Sequence, residues 1–256
     1  RRPDEFLVDF PELGHFRWVS FIQGDILCPT SLPVGGDFTH IIHAATDSTL
    51  GPKLEPLHRY TQIIDGTRNM LDYAALHGIV RFLLTSSGGV YGPQPADLSE
   101  IPESYNGMPD PLYPVNTYSV AKRGAEHLCA LYWNQYGVET VIARCFSFVG
   151  RDLPLNAHFA IGNLINDALH DCELKVNGDG TAIRSYMDQR DLAEWLLTLL
   201  FIGKPGEAYN VGSDQPITIR DLANRVRDIL APEKRVRIFG ALGHLTNRYV
   251  PSLVKS

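Results

Sequence analysis

Val80-Arg81-Phe82-Leu83-Leu84 runs straight into Thr85-Ser86-Ser87-Gly88-Gly89, an apolar strand that ends in a loop of small residues. The same transition occurs upstream, where Thr39-His40-Ile41-Ile42-His43 is followed by Ala44-Ala45. Between the two lies 62–77, with apolar residues at helical spacing and Gly78 as its stop. Downstream, 118–136 reads as a helix and 138–143 as the next strand. Strands alternating with helices of this length need crossover connections, so the sheet is mostly parallel and covered on both faces. The fold class is α/β, doubly wound. Such sheets bind ligands at the carboxyl ends of their strands, where each of these small-residue loops lies.

After Gly150 the pattern changes. Helices are expected over 156–171 and 191–201, and a short strand over 174–176 precedes the turn Asn177-Gly178-Asp179-Gly180. Residues 220–230 form an amphipathic helix, and a strand near 208–212 is expected to return to the main sheet. We therefore expect two domains, 1–150 and a smaller, discontinuous α/β domain over 151–256. The most apolar stretch, 192–203, is interrupted by Glu194 and too short to span a bilayer, so it is expected to be a buried helix.

Composition narrows the function classes. The 256 residues are 44% hydrophobic and 20% charged, which excludes a disordered or fibrous chain. With 23 basic and 29 acidic residues the formal charge is −6, against nucleic acid as the partner. Cys28, Cys129, Cys145 and Cys172 show neither a CxxC pair nor metal-ligand spacing with His, so they are read as free thiols and no metal site is expected. Without a membrane span or leader pattern, the expected location is the cytoplasm.

The chemistry is expected at two places. Tyr118 and Lys122 stand one helical turn apart, so phenol and ammonium share a face and the cation can favour the phenolate. Ser86-Ser87-Gly88-Gly89-Val90-Tyr91-Gly92 places a hydroxyl at a strand end, where it can hold a substrate oxygen while Tyr118 moves its proton. His43 is expected to pack near the sheet end rather than act as a base.

These segments together resemble the extended short-chain dehydrogenase/reductases, the family of nucleotide-sugar epimerases and dehydratases, with a Rossmann-like fold. Gly24-Asp25-Ile26, His43-Ala44-Ala45, Gly66-Thr67-Arg68-Asn69, Ser86-Ser87…Val90-Tyr91-Gly92 and Tyr118…Lys122 follow the family order. Arg144-Cys145-Phe146-Ser147…Gly150, Asn163-Leu164-Ile165, Gly178-Asp179-Gly180…Arg184-Ser185-Tyr186…Asp191 and Tyr209-Asn210-Val211-Gly212 continue it. The resemblance implies a catalytic set of Ser87, Tyr118 and Lys122. It implies a dinucleotide, NAD with NADP not excluded, held by Asp25, Ile26, Ala44, Ala45, Ser86, Tyr118 and Lys122 in the 1–150 domain. It implies a nucleotide sugar held by Ser147, Asn163 and Arg184, the last a planar fork suited to a diphosphate. A homodimer paired through the Tyr-x-x-x-Lys helix is also implied.

Two departures bear on the chemistry. The family's 4,6-dehydratases carry an Asp-Glu pair after the active-site Ser/Thr, and the decarboxylating members tend to keep the Glu; here Gly88 and Gly89 stand there. Elimination thus lacks its usual acid and base unless Glu100 or Glu103 stands in, which ranks 4-epimerisation first, 4-keto reduction second and dehydration third. A non-catalytic dinucleotide sensor is the alternative outside enzymology. The family's G-x-x-G-x-x-G fingerprint is also absent from these residues, from which we expect the sequence to be part of a longer chain lacking the first strand-helix-strand.

Overall fold

The computed structural model describes residues 3–46, 51–241 and 247–256. A short helix α1 (Pro3–Asp9) leads through irregular chain to β1 (His40–His43). Then follow α2 (Pro56–Leu76), β2 (Arg81–Ser87), α3 (Thr117–Tyr136) and β3 (Glu139–Cys145). α2 starts ahead of the expected residue 62 because Pro56 sits in its first turn, where a missing N–H is harmless and φ is already helical.

The main sheet has the order β1-β2-β3-β8, with β8 spanning Ala208–Val211, and every pairing is parallel. Its two faces come from the period-two alternation of β2. Phe82 and Leu84 point into a core with Ile63, Leu71 and Ala74 of α2 and Ala121, Ala125 and Cys129 of α3. Leu83 points the other way, to Val141, Met187, Leu199 and Leu200. Each of these fully buried β2 side chains contributes roughly 1.5–3 kcal/mol relative to exposure.

The second face is covered by α5 (Gln189–Ile202), which follows β4 (Phe148–Val149) and β7 (Met187–Asp188), a two-stranded pair. Here the expectation of a buried helix over 192–203 is corrected. Leu199 and Leu200 are buried, but Leu197, Phe201 and Ile202 are exposed. One stripe of the helix suffices to cover the sheet, and its opposite side faces solvent.

A separate core gathers α4 (Ala160–His170), β5 (Glu173–Val176), α6 (Ile219–Leu230) and β10 (Arg235–Ile238) around Ile161, Leu164, Leu174, Leu222 and Val226. α4 starts later than residue 156, at Ala160. Thr218 caps α6, accepting from the Asp221 N–H at 3.0 Å and donating to the Asp221 carboxylate at 2.7 Å. A three-stranded sheet with the order β11-β6-β9 is made of Arg248–Tyr249, Ile183–Arg184 and Ile217–Thr218. It brings the last residues of the chain beside Arg184.

Candidate active site

Ser87 is the last residue of β2 and caps the turn Gly88–Tyr91, its Oγ accepting from the Gly89 N–H at 3.1 Å. Tyr118 and Lys122 lie on the first two turns of α3, which packs beside that turn. Lys122 is 2% exposed, and its Nζ donates to the Thr85 carbonyl at 2.7 Å and to Thr46 Oγ1 at 3.0 Å. Burial pulls its pKa down to about 8, against a smaller upward pull from Cys145 and Glu126.

Burial also raises the Tyr118 phenol above its ordinary value; a hydrogen bond with Ser87 opposes this, Cys145 adds to it, and Arg59 opposes it. Lys122 Nζ is 5.9 Å from the Tyr118 ring centre, whereas the Arg59 guanidinium of α2 lies over the ring at 4.4 Å. The sequence pattern assigned the favouring of phenolate to Lys122; the cation nearest the phenol ring is Arg59. Its Nε is buried without a hydrogen-bond partner among the described residues. No motif marks Arg59, which is why sequence reasoning missed it.

A cavity of about 1190 Å³ opens at the carboxyl end of β1, lined by Asp25, Ile26, Ala44, Ala45 and Thr46 among others. Thr46 joins it to Lys122. The Gly-Thr-x-Asn segment supports its wall: a Cβ on Gly66 would come 2.4 Å from Ile26 Cδ1, and Asn69 Nδ2 donates to the Ile26 carbonyl at 2.8 Å. Asp25 Oδ1 accepts from the Leu27 N–H at 2.9 Å. His43 is packed on Phe82 and bonded to Thr67 Oγ1 at 3.2 Å. Burial, and then Lys122, hold its pKa at about 3, so it stays neutral.

Ser86 points away from this cavity. Its hydroxyl donates to Glu126 at 2.6 Å, and Glu126 is clamped by Arg144 at 2.8 Å. Arg144 Nη1 donates on to Tyr91 at 2.9 Å, and Tyr91 to Asn210 at 2.8 Å. A side-chain role for Ser86 toward a cofactor is therefore not offered by this arrangement; the alternation of β2 turns it beneath α3. The Arg144, Tyr91 and Asn210 of the family-like segments are occupied in the same buried chain.

On the opposite side Arg184 is partly buried. Its Nη1 donates to the Ile183 and Asn247 carbonyls at 2.7 and 3.0 Å. Burial lowers its pKa, and Tyr186 and Tyr249 oppose that. Ser147 follows β3 and is half-buried, while Asn163 is exposed in the first turn of α4. Glu103 accepts from the Asn210 N–H at 2.8 Å and from Ser256, so its carboxylate is committed at β8. The four cysteines are free thiols.

Residues 9–212 match the NAD dependent epimerase/dehydratase family. The chain belongs to that family. UDP-glucuronic acid decarboxylase 3 of Arabidopsis thaliana is 31% identical over 227 residues, 88% of this chain and 64% of the relative. UDP-glucuronic acid decarboxylase 1 of Danio rerio is 32% identical over 233 residues, 88% and 52% of the two chains. The chain thus spans between half and two-thirds of the length of these relatives. RMD of Pseudomonas aeruginosa, solved with NADPH, superposes with a TM-score of 0.80 at 27% identity, covering 97% of this chain and 85% of that one. A dTDP-glucose 4,6-dehydratase of Bacillus anthracis, solved with NAD, gives 0.80 at 20% identity over 97% and 76%. The latter likeness shows the fold, Rossmann-like with a mostly parallel central sheet. Relatives of the family are enzymes. Among the described residues no helix is long and apolar enough to cross a membrane.

Proposed function

We propose that the chain is the catalytic portion of an NAD(P)-dependent enzyme that oxidises and re-reduces C4 of a nucleotide sugar, inverting it. The observation that carries this reading is the convergence of Ser87, Tyr118 and buried Lys122 at the carboxyl end of β2, beside a cavity lined by Asp25, Ile26, Ala44 and Ala45. The small side chains of Ala44 and Ala45 permit close approach, and the Asp25 loop offers a carboxylate at one end, so the residues present fit a dinucleotide. Asp25 and Ile26 would hold its adenine, Ala44 and Ala45 its middle, and Tyr118 and Lys122 its nicotinamide ribose. When bound, the dinucleotide supplies the acceptor and donor of hydride.

Tyr118 takes the proton of the C4 hydroxyl and returns it after the keto sugar has turned over. Ser87 holds the same oxygen. Lys122, anchored on Thr85 and Thr46, fixes the distance between α3 and the sheet end. Ser147 and Asn163 are assigned to the sugar nucleotide and Arg184 to its diphosphate, which completes the role of 151–256 as the sugar-nucleotide domain beside the 1–150 dinucleotide domain. Replacing Tyr118 by Phe lowers turnover by about 10²–10⁴-fold with the fold intact.

Incubating the full-length protein with UDP-, dTDP-, GDP- and CDP-sugars, followed by NMR with and without NADPH, tests the reading. A C4 epimer formed without net cofactor use is expected. Stoichiometric NADPH loss would replace it by 4-keto reduction, and binding without conversion would replace it by a sensor.

Arg59 favours a second reading. A guanidinium over the Tyr118 ring, its buried Nε without a partner among the described residues, suits a substrate carboxylate. Decarboxylation of a UDP-uronic acid would use it, and the two curated relatives above carry that activity in their names. UDP-glucuronic acid in the panel, with carbon dioxide release as the readout, decides between them. We also assign the protein to the cytoplasm and to a homodimer through the exposed Leu131, Trp133 and Tyr136 of α3, checked by sedimentation.

A further inference from the structure

Tyr249 reaches the site from the far end of the chain. β11 pairs with β6 so that Tyr249 stands opposite Arg184. Its ring packs against Phe146 with centres 4.5 Å apart. Its hydroxyl lies over Gly88: a Cβ there would stand 2.5 Å from the phenol oxygen and 2.7 Å from the Phe146 ring. Gly88 is therefore the residue that makes room for a second phenol beside Ser87. The direct bond from the Tyr249 hydroxyl, to the Cys145 carbonyl, is long at 3.5 Å. Ser87 lowers the pKa of both phenols, Tyr118 from α3 and Tyr249 from β11, against the burial that raises them.

We infer that Tyr249 is a positioning residue for the proposed reaction: its O–H donates to Ser87 Oγ and so turns the Ser87 proton toward Tyr118 and the substrate oxygen. This inference rests on the reading of Ser87 and Tyr118 as the reacting pair. A serine hydroxyl has one proton and two lone pairs. The Gly89 N–H already occupies one lone pair. If Tyr249 donates to the other, the remaining proton can only point outward to Tyr118. Burial keeps Tyr249 protonated, as a donor must be. A hydrogen bond from Ser87 favours the Tyr118 phenolate, which the base in the reaction needs.

The charged and titratable groups facing the two phenols are Arg59 of α2, Lys122 of α3, Cys145 of β3 and Arg184 of β6. All of them remain when Tyr249 is replaced by Phe, and the ring stays on Phe146. In the full-length, cofactor-loaded enzyme, Tyr249→Phe is expected to raise the pKa of Tyr118 by about one unit. Two readouts report it: the pH profile of kcat, and tyrosinate absorbance taken as the difference from Tyr118→Phe. Turnover at neutral pH falls about tenfold, recovers at high pH, and leaves KM within about twofold. In a Ser87→Ala background the same substitution has no further effect, because the relay is already cut.

An equal loss at every pH, an unmoved Tyr118 titration, or full additivity with Ser87→Ala overturns the inference. If Tyr249→Phe does not fold, Tyr249→His supplies a donor on a smaller ring; a Tyr118 pKa at the native value in that variant supports the relay and a displaced one overturns it. Full turnover in Tyr118→Phe would instead overturn the reading of the site, so the two failures are distinct.

Discussion

Lys122 and Glu126 are one helical turn apart on α3, both nearly excluded from solvent, and they are held in opposite ways. Glu126 is saturated: Ser86 donates to it, Arg144 clamps it, and Tyr91 and Asn210 extend the chain to β8. Burial works against the Arg144 charge, but Glu126 and Tyr91 more than offset it and hold its pKa up. Among the described residues Lys122 has a carbonyl and a threonine hydroxyl as hydrogen-bond partners, and burial takes its pKa down to about 8 against a smaller upward pull from Cys145 and Glu126. The difference separates a buried charge that holds the fold from one that is kept poised. A buried ion pair is costly to break because the survivor stays charged in a poor solvent. A buried cation hydrogen-bonded only to neutral acceptors among the described residues carries much of its desolvation penalty, which natural sequences retain where chemistry needs the group.

The largest expected effect falls on Lys122. Lys122→Met lowers turnover by about 10²–10⁴-fold, roughly 3–5 kcal/mol of transition-state stabilisation. Folding stability at neutral pH stays level or rises, because the desolvated charge is gone. The pH dependence sharpens this. The folded pKa of about 8 lies below the ordinary 10.5, so between these values the unfolded chain binds more protons. Stability therefore rises with pH across that window, by at most about 1.4 kcal/mol per unit. Urea denaturation from pH 7 to 10.5 should show this slope in the native protein and its absence in Lys122→Met. A slope shared by both would break the comparison.

Glu126→Gln comes next. It keeps the shape but leaves Arg144 buried without its anion, and about 3 kcal/mol of stability is lost. Turnover of the surviving folded protein stays within about twofold, measured well below the melting temperature. A loss under about 1 kcal/mol would mean that water, not Glu126, satisfies Arg144.

The sequence and the structure agree most where a local pattern carries the information. The strands and helices around Leu83, Tyr118 and Val141 follow from apolar periodicity, and Tyr118 to Lys122 from helical spacing. What periodicity cannot see is which way a long side chain turns once buried. Ser86 and Ser87 are neighbours with the same chemistry, yet one serves α3 and the other the site, because β2 alternates. Arg59 and Tyr249 reach Tyr118 from distant parts of the chain, 59 and 131 positions away. No local signal encodes that meeting. The exposed half of α5 was illegible for a related reason, since a largely apolar run shows hydrophobicity but not which stripe finds a partner.

The third effect is smaller. Ser86→Ala removes one charge-assisted bond from a carboxylate that still has Arg144. Thermal or urea unfolding should register a loss of about 1–2 kcal/mol, clearly below that of Glu126→Gln. Equality of the two would show that the serine, rather than the arginine, anchors Glu126.

The smallest effect tests the poised side with a comparable deletion. Thr46→Val keeps the shape of the side chain and removes one of the two acceptors on Lys122 Nζ. The Thr85 carbonyl, at 2.7 Å, remains. Each acceptor favours the ammonium, so losing one moves the Lys122 pKa further down, by a few tenths to about one unit. The direction matters more than the size. If Thr46 were only packing, the titration would stay put and stability would change instead. If Thr46 helps hold the ammonium, the window of pH-dependent stability widens at its lower edge while stability at pH 10.5 is unmoved, because there the lysine is neutral in the folded chain. The same hydroxyl also lines the cavity assigned to the dinucleotide. A shift in the lysine titration without a change in stability at high pH would show that Thr46 helps hold the Lys122 ammonium at the edge of that cavity.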